Sequence, residues 1–362
     1  MAERHSGAAA SSASPTAAEL EALGRAVQLA ANGAGTALPN PVVGCVLLDA
    51  AGRIVGEGYH AQVGGPHAEV VALRAAAESA RGATAVVTLE PCNHTGRTGA
   101  CSQALIDAGV ARVIVAVRDP WPPAAGGIER LVAADVDVVD LSEQPLSADA
   151  RLVNRVWLTA TRLRRPFVTF KAGMTIDGRV AAADGTSRWI TSAESRADVH
   201  RLRSEVDTMM VGVGTVLADD PQLTARSAVG AAMSHQPLRV VVDSTGKTPV
   251  GARVLDDAAE TLIATTAEFG AVAIGVDLAA LLAALYGRGK RHLLLEGGPR
   301  LAASMLDANL VDEVLIYLAP LLLGAGQPVL DGGSAATLAE ARRFELTDVA
   351  RFGTDLRVRW TR

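Results

Sequence analysis

Cysteine is scarce in this 362-residue chain: Cys45, Cys92 and Cys101 are too few for a disulfide framework, so a reducing, cytoplasmic compartment is expected. No uninterrupted apolar run reaches membrane length. The longest candidate, residues 271–286, is broken by Asp277 and reads as a strand followed by a helix. Basic charge is lacking too. A formal net charge of -5 and a pI near 5.8 argue against a nucleic-acid surface. The Rossmann fingerprint, G-x-G-x-x-G with a distal acidic residue, is absent. Residues 1–16, rich in Ala and Ser, have no signal-peptide apolar core and are expected to form a disordered tail. The remaining length suits two domains, expected at 17–162 and 163–362.

What is present centres on residues 66–101. The run Pro66-His67-Ala68-Glu69 is followed by a helical pattern to about residue 80, a buried strand at 83–89, and Pro91-Cys92 with a second cysteine at Cys101. One His and two Cys suit Zn2+, and three protein ligands leave a tetrahedral position open, as in a catalytic site. His67 and the cysteines are expected near helix starts, where exposed N–H groups favour thiolate. Glu69 is read as the proton carrier. His-x-Glu, then Pro-Cys and a further Cys, is the mark of zinc deaminases, in which the metal activates water and the Glu moves protons to the leaving amine. The stretch between the cysteines carries His94 and Arg97, which suit a phosphorylated substrate. An isolated His or Cys would more often be packing; the four matched positions favour a site.

This run resembles the deaminase half of the bifunctional riboflavin-biosynthesis deaminase/reductases, whose pattern is HAE followed by PC-[SN]-H-x-G-[RK]-T-x-x-C. Upstream, Pro39-Asn40-Pro41-Val42-Val43-Gly44 and Gly56-Glu57-Gly58-Tyr59-His60 also match. The resemblance implies that Asn40 contacts a pyrimidine and that His60, His94, Arg97 and Asp119 lie against substrate. By their residue types alone, Asn40 could equally cap a turn and His60 could be an ordinary loop histidine. Cys45, alternating with apolar neighbours in a strand, reads as core. One departure stands out: Trp121 occupies the place of an Asn in the family's Asp-Pro-Asn-Pro, and the following 124–127 loop is short.

Past a linking helix expected over 147–162, the arginines at 162, 164 and 165 read as a solvated charge run before Pro166. The second half then alternates strands and helices and ends one strand in Glu296-Gly297-Gly298-Pro299. Strand, Gly-Gly turn, helix is a phosphate-cradling arrangement, though ordinary turns use it as well. With the runs 217–221 (LADDP) and 242–244 (VDS), it resembles the reductase half of the same enzymes. The resemblance covers the chain from about residue 20 onward. It implies an N-terminal cytidine-deaminase-like three-layer α/β/α domain and a C-terminal dihydrofolate-reductase-like α/β domain, with Zn2+ and NADPH as cofactors and a homo-oligomeric state. Carried across by position, Gly173, Trp189, Thr215, Asp219, Ser244, Gly298, Pro299, Arg300, Leu301, Ala302, Ala303 and Ser304 would line the NADPH pocket. Ser187, Arg203, Leu223, Arg226 and Glu296 would hold substrate; guanidinium forks such as those of Arg203 and Arg226 match a phosphate. Trp189 as core and Asp219 as a loop cap remain alternatives. No titratable residue in this half stands out as an acid catalyst. Two other readings stay open at this stage, a deaminase with a silent second domain and a zinc-stabilised binding protein, although the latter has no use for Glu69.

Overall fold

The computed structural model describes residues 14–94, 99–227, 230–272 and 275–362, and it divides into two compact units that meet at Leu163 and Arg164. Residues 1–13, most of the expected tail, lie outside the described residues, as does Arg97.

In the first unit, Thr16 starts helix α1 (Ala17–Ala31) with a reciprocal cap. Its hydroxyl accepts from the Glu19 N–H at 3.3 Å, and the Glu19 carboxylate accepts from the Thr16 N–H at 2.7 Å. The chain continues through β1 (Gly44–Leu48), β2 (Ile54–Tyr59), α2 (Ala68–Ala76), β3 (Thr84–Val87) and α3 (Cys101–Asp107). It then runs through β4 (Arg112–Val115), α4 (Gly127–Val132), β5 (Asp137–Asp140), α5 (Ala148–Val153) and α6 (Arg155–Leu163). The sheet order is β2-β1-β3-β4-β5, with β1 antiparallel to both neighbours and β3, β4 and β5 parallel.

Strand alternation makes three layers. Cys45 and Leu47 of β1 join a core with Ala68 and Ala72 of α2 and Leu105 of α3. Val46 and Leu48 enter the opposite core, with Ala22, Ala26 and Leu29 of α1 and Trp157 of α6. Two glycines set α2 against β2. A Cβ at Gly58 would lie 2.4 Å from the Ala68 carbonyl oxygen, and one at Gly56 2.4 Å from that of Ala72. Bare backbone at both positions brings the start of α2 down onto the sheet.

Two expected helices are interrupted. The 67–80 helix ends at Ala76; Ala77 turns to φ 47° and a short 3-10 turn follows. The 147–162 helix breaks at Asn154, whose side chain bonds the Val42 backbone, accepting its N–H at 3.1 Å and donating to its carbonyl at 2.9 Å.

The second unit contains β6 (Phe167–Thr175), β7 (Arg179–Ala181), α7 (Ala193–Ser204), β8 (Thr208–Gly212), α8 (Val213–Asp219), β9 (Leu238–Val242) and β10 (Thr261–Ala264). There follow α9 (Thr266–Phe269), β11 (Ala271–Val272), β12 (Gly275–Val276), α10 (Leu278–Gly287), β13 (His292–Leu295) and α11 (Pro299–Asp307). β14 (Glu313–Ala319), β15 (Gln327–Pro328), β16 (Glu345–Phe352) and β17 (Asp355–Thr361) complete it. Its eight-stranded sheet runs β10-β9-β8-β13-β6-β14-β17-β16, parallel through β14 and closed by an antiparallel hairpin. Leu293 and Leu295 of β13 face a core with Leu281 and Leu285 of α10 and Met305 of α11, whereas Leu294 faces Val199 and Leu202 of α7.

Arg165 corrects the reading of a solvated arginine run. Its guanidinium grips Asp312 at 2.7 and 2.8 Å with both side chains largely buried, while Asp312 also accepts the Val168 N–H at 2.8 Å. The Arg362 N–H donates to the Asp312 carbonyl at 3.2 Å, so both ends of this unit meet at one residue.

Candidate functional site

His67 is the residue before α2, Cys92 lies just past β3, and Cys101 opens α3. Their donor atoms converge. His67 Nδ1 stands 3.2 Å from Cys101 Sγ and 3.6 Å from Cys92 Sγ, and all three lie within 4.8 Å of one another. Tetrahedral coordination at about 2.0–2.3 Å spaces ligand atoms roughly 3.3–3.8 Å apart, so the trio fits Zn2+. The hydrogen bond from Cys101 and the nearby His67 hold Cys92 well below the usual thiol range, which favours the ligating thiolate. Its hydrogen bond to Cys92 raises His67 above the ordinary histidine range.

Glu69 sits in the first turn of α2, is 3% exposed, and reaches the Cys101 thiol. Burial first, and then the Cys92 charge, push it up to about 7. A carboxyl poised there can both accept and return a proton near neutrality.

Around this centre, His60 uses both ring nitrogens within the protein. Nδ1 lies 3.1 Å from the Pro66 carbonyl oxygen and Nε2 3.1 Å from Asn40 Nδ2. A carbonyl only accepts, so the proton is assigned to Nδ1, and Nε2 accepts from the Asn40 amide. Burial keeps His60 below its usual pKa and so neutral. The Asn40 carbonyl oxygen remains for other partners. His94 meets the Trp121 ring edge-on at 6.0 Å, and its buried Nδ1 has no hydrogen-bond partner among the described residues. Burial raises Asp119 to about 6, and its carboxylate accepts the Trp121 N–H at 2.7 Å. Glu90 escaped the sequence reading. It is buried beside Cys92 and binds three backbone N–H groups; its only mark was an acidic residue closing the apolar 83–89 run.

The second unit carries a cavity of about 750 Å3 whose wall includes Gly173, Ser187, Thr215, Asp219, Ser244, Glu296, Gly298, Pro299, Arg300, Leu301 and Ser304. That volume is of cofactor size. Gly297 and Gly298, at φ 133° and 81°, turn the chain from β13 into α11, in conformations that favour glycine. The turn leaves N–H groups bare for a phosphate, and a Cβ at Gly297 would come within 3.2 Å of Thr215 Oγ1.

Other candidates lie off the wall. Ala302 and Ala303 are buried on the inner side of α11, and Leu223 is core. Trp189 is 67% exposed and packs under Arg196 at 4.3 Å instead. Arg203 supports the wall from behind through its ion pair with Glu296, and Arg226 bonds Thr224 and Gln222. Two lysines were missed, Lys171 and Lys247. Lys171 Nζ stands 3.6 Å from the Glu296 carboxylate; burial lowers its pKa while Glu296 opposes the shift.

A His-Cys-Cys zinc centre in a three-layer α/β/α unit, followed by a dihydrofolate-reductase-like unit with a dinucleotide-sized cavity, defines a zinc-dependent deaminase fused to an NADPH-dependent reductase. Residues 18–117 match the cytidine and deoxycytidylate deaminase zinc-binding region, and residues 166–358 match the RibD C-terminal domain. The riboflavin biosynthesis protein RibD of Mycobacterium tuberculosis is 45% identical over 93% of this chain and 95% of its own length. That of Escherichia coli K12 is 40% identical, covering 92% of this chain and 96% of its own. A crystal structure from Thermotoga maritima, a diaminohydroxyphosphoribosylaminopyrimidine deaminase/5-amino-6-(5-phosphoribosylamino)uracil reductase, superposes with a TM-score of 0.84 at 32% identity, covering 95% of this chain and 98% of that one. The chain belongs to the RibD family of bifunctional riboflavin-biosynthesis enzymes. Zn2+ and NADPH are its cofactors.

Proposed function

We propose that residues 17–162 deaminate 2,5-diamino-6-(5-phosphoribosylamino)pyrimidin-4-one and that residues 163–362 reduce the ribosyl group of the product, giving 5-amino-6-(5-phosphoribitylamino)uracil. The observation that carries this reading is Glu69, buried in the first turn of α2 beside the convergent His67, Cys92 and Cys101. Bound zinc supplies the Lewis acidity that makes water nucleophilic at the pyrimidine carbon bearing the 2-amino group. Glu69 takes a proton from that water and returns it to the departing ammonia. Asn40, oriented by His60, offers its carbonyl oxygen to the pyrimidine edge. His94, with Arg97 and Asp119, serves the phosphoribosyl side.

In the second unit, bound NADPH supplies the reducing equivalents that open the ribosyl group at C1′. The Gly297–Gly298 turn and the start of α11 would hold its phosphates, with Thr215, Ser244 and Lys247 along the same wall. Lys171 is the proton donor best placed for ring opening, kept in position by Glu296, which Arg203 fixes in turn. Ser187 and Arg226 complete the substrate side. The chain is further read as a cytoplasmic homo-oligomer; exposed Leu346, Val349 and Leu356 on the terminal hairpin support association, which sedimentation would test.

A coupled assay tests the whole. With the diaminopyrimidine substrate, ammonia release should precede NADPH oxidation and be required for it. Ammonia without NADPH loss would remove the reductase assignment, and neither in zinc-loaded protein would remove the substrate.

A further inference from the structure

Glu90 is 4% exposed, and no cation pairs with it among the described residues. Its carboxylate is instead consumed by backbone. Oε2 accepts the Asp119 N–H at 3.0 Å, while Oε1 accepts the N–H groups of Gly126 and Ile128 at 3.0 and 3.1 Å. One side chain thus closes the 119–128 loop at both ends. The loop lies directly on the metal-ligand segment. The Asn93 N–H donates to the Ala124 carbonyl at 2.8 Å, and Ala124 packs in one buried cluster with Cys92 and Cys101. Gly127 has no room to move: a Cβ there would sit 1.8 Å from the Pro91 carbonyl oxygen.

A buried carboxylate without a countercharge is costly unless N–H donors satisfy it, and here all three come from the loop. We infer that Glu90 is a positioning residue for deamination. It never touches substrate; it sets the 119–128 loop, and with it Asp119 and Trp121, at a fixed height over the His67-Cys92-Cys101 centre. This rests on the deaminase reading above. All of these Glu90 hydrogen bonds go to backbone N–H groups of the loop, so its removal should affect substrate binding more than the proton transfers.

Glu90→Gln tests it. The amide has one accepting oxygen, and its NH2 would oppose an N–H at the other end of the loop. Four quantities are read on full-length protein: zinc content, ammonia release, NADPH oxidation with the deaminated pyrimidine, and hydrogen exchange at residues 119, 126 and 128. Zinc content and NADPH oxidation should match wild type. Those amides should exchange at least about tenfold faster. KM for deamination should rise about tenfold while kcat stays within about threefold. Glu90→Asp, charged but too short to span both ends, should change in the same direction and serves if the Gln variant does not fold. Unchanged amide exchange, an unchanged KM, or zinc loss with a collapsed kcat would each overturn the inference. Absence of ammonia release from wild type would instead defeat the deaminase reading and the catalytic role with it, while the exchange data would still show whether Glu90 holds the loop.

Discussion

Arg203 holds Glu296 by two parallel hydrogen bonds, Nε to Oε1 at 2.7 Å and Nη2 to Oε2 at 2.8 Å. Burial alone would raise the carboxyl, but Arg203 and Lys171 outweigh it and keep the group down at about 2. An unfolded glutamate titrates at about 4.3, so the folded state favours the ionised form. The stabilisation is therefore complete above about pH 4.3 and is lost as pH falls toward 2. Thermal melts of the second unit should show this acid-side loss in wild type, and Glu296→Gln should flatten it. Arg203→Ala at pH 7 leaves the carboxylate with Lys171 alone and should cost about 3–5 kcal/mol by urea unfolding. A loss below about 1 kcal/mol would mean the pair behaves as an exposed one.

Glu69→Gln keeps the shape of the first site and removes its proton carrier. Ammonia release should fall by at least about 100-fold, the scale of general acid–base catalysis, with zinc retained. NADPH oxidation on the deaminated pyrimidine should be unaffected. Near-normal ammonia release would show that the proton travels by another route.

Chelation separates the two activities. Metal-depleted protein should lose ammonia release and regain it with added Zn2+, and Cys92→Ser should weaken zinc retention. Reduction should survive depletion, because Lys171, Glu296 and the glycine turn involve none of the metal ligands. Loss of both activities together would contradict this division.

Gly58→Ala should damage the metal centre without touching it. The added Cβ would meet the Ala68 carbonyl at 2.4 Å and push the start of α2, with His67 and Glu69, off the sheet. The expected cost is about 1–3 kcal/mol of stability, together with weaker zinc binding measured by competition against a chromophoric chelator. Wild-type zinc affinity would show that α2 can shift without moving its ligands.

What could be read in the sequence was local. Asp277 breaks the apolar 271–286 run, and the strand before it and the helix that its side chain caps are both observed. The zinc trio was legible because ligand chemistry narrows the choice to few residue types. The failures are long-range. Arg165 meets Asp312 across 147 positions, and Asn154 reaches Val42 across 112. Glu90 bonds residues 29 to 38 positions away. No periodicity or cap marks such a pairing, because it is created only when the sheet brings distant segments together. Trp189 and Ala302 show the converse: a residue type that suits a pocket does not reveal which way a helix or loop presents it.

Asp312 receives the guanidinium of Arg165 at the start of the second unit and the amide of Arg362 at its end. A polypeptide whose two ends are fastened to one side chain and its own backbone is nearly a ring. A short linker could join 362 to 164, and new termini could be opened at an exposed turn such as that around Gly353 between β16 and β17, giving a circular permutant in which all seven strand pairings of the large sheet are kept.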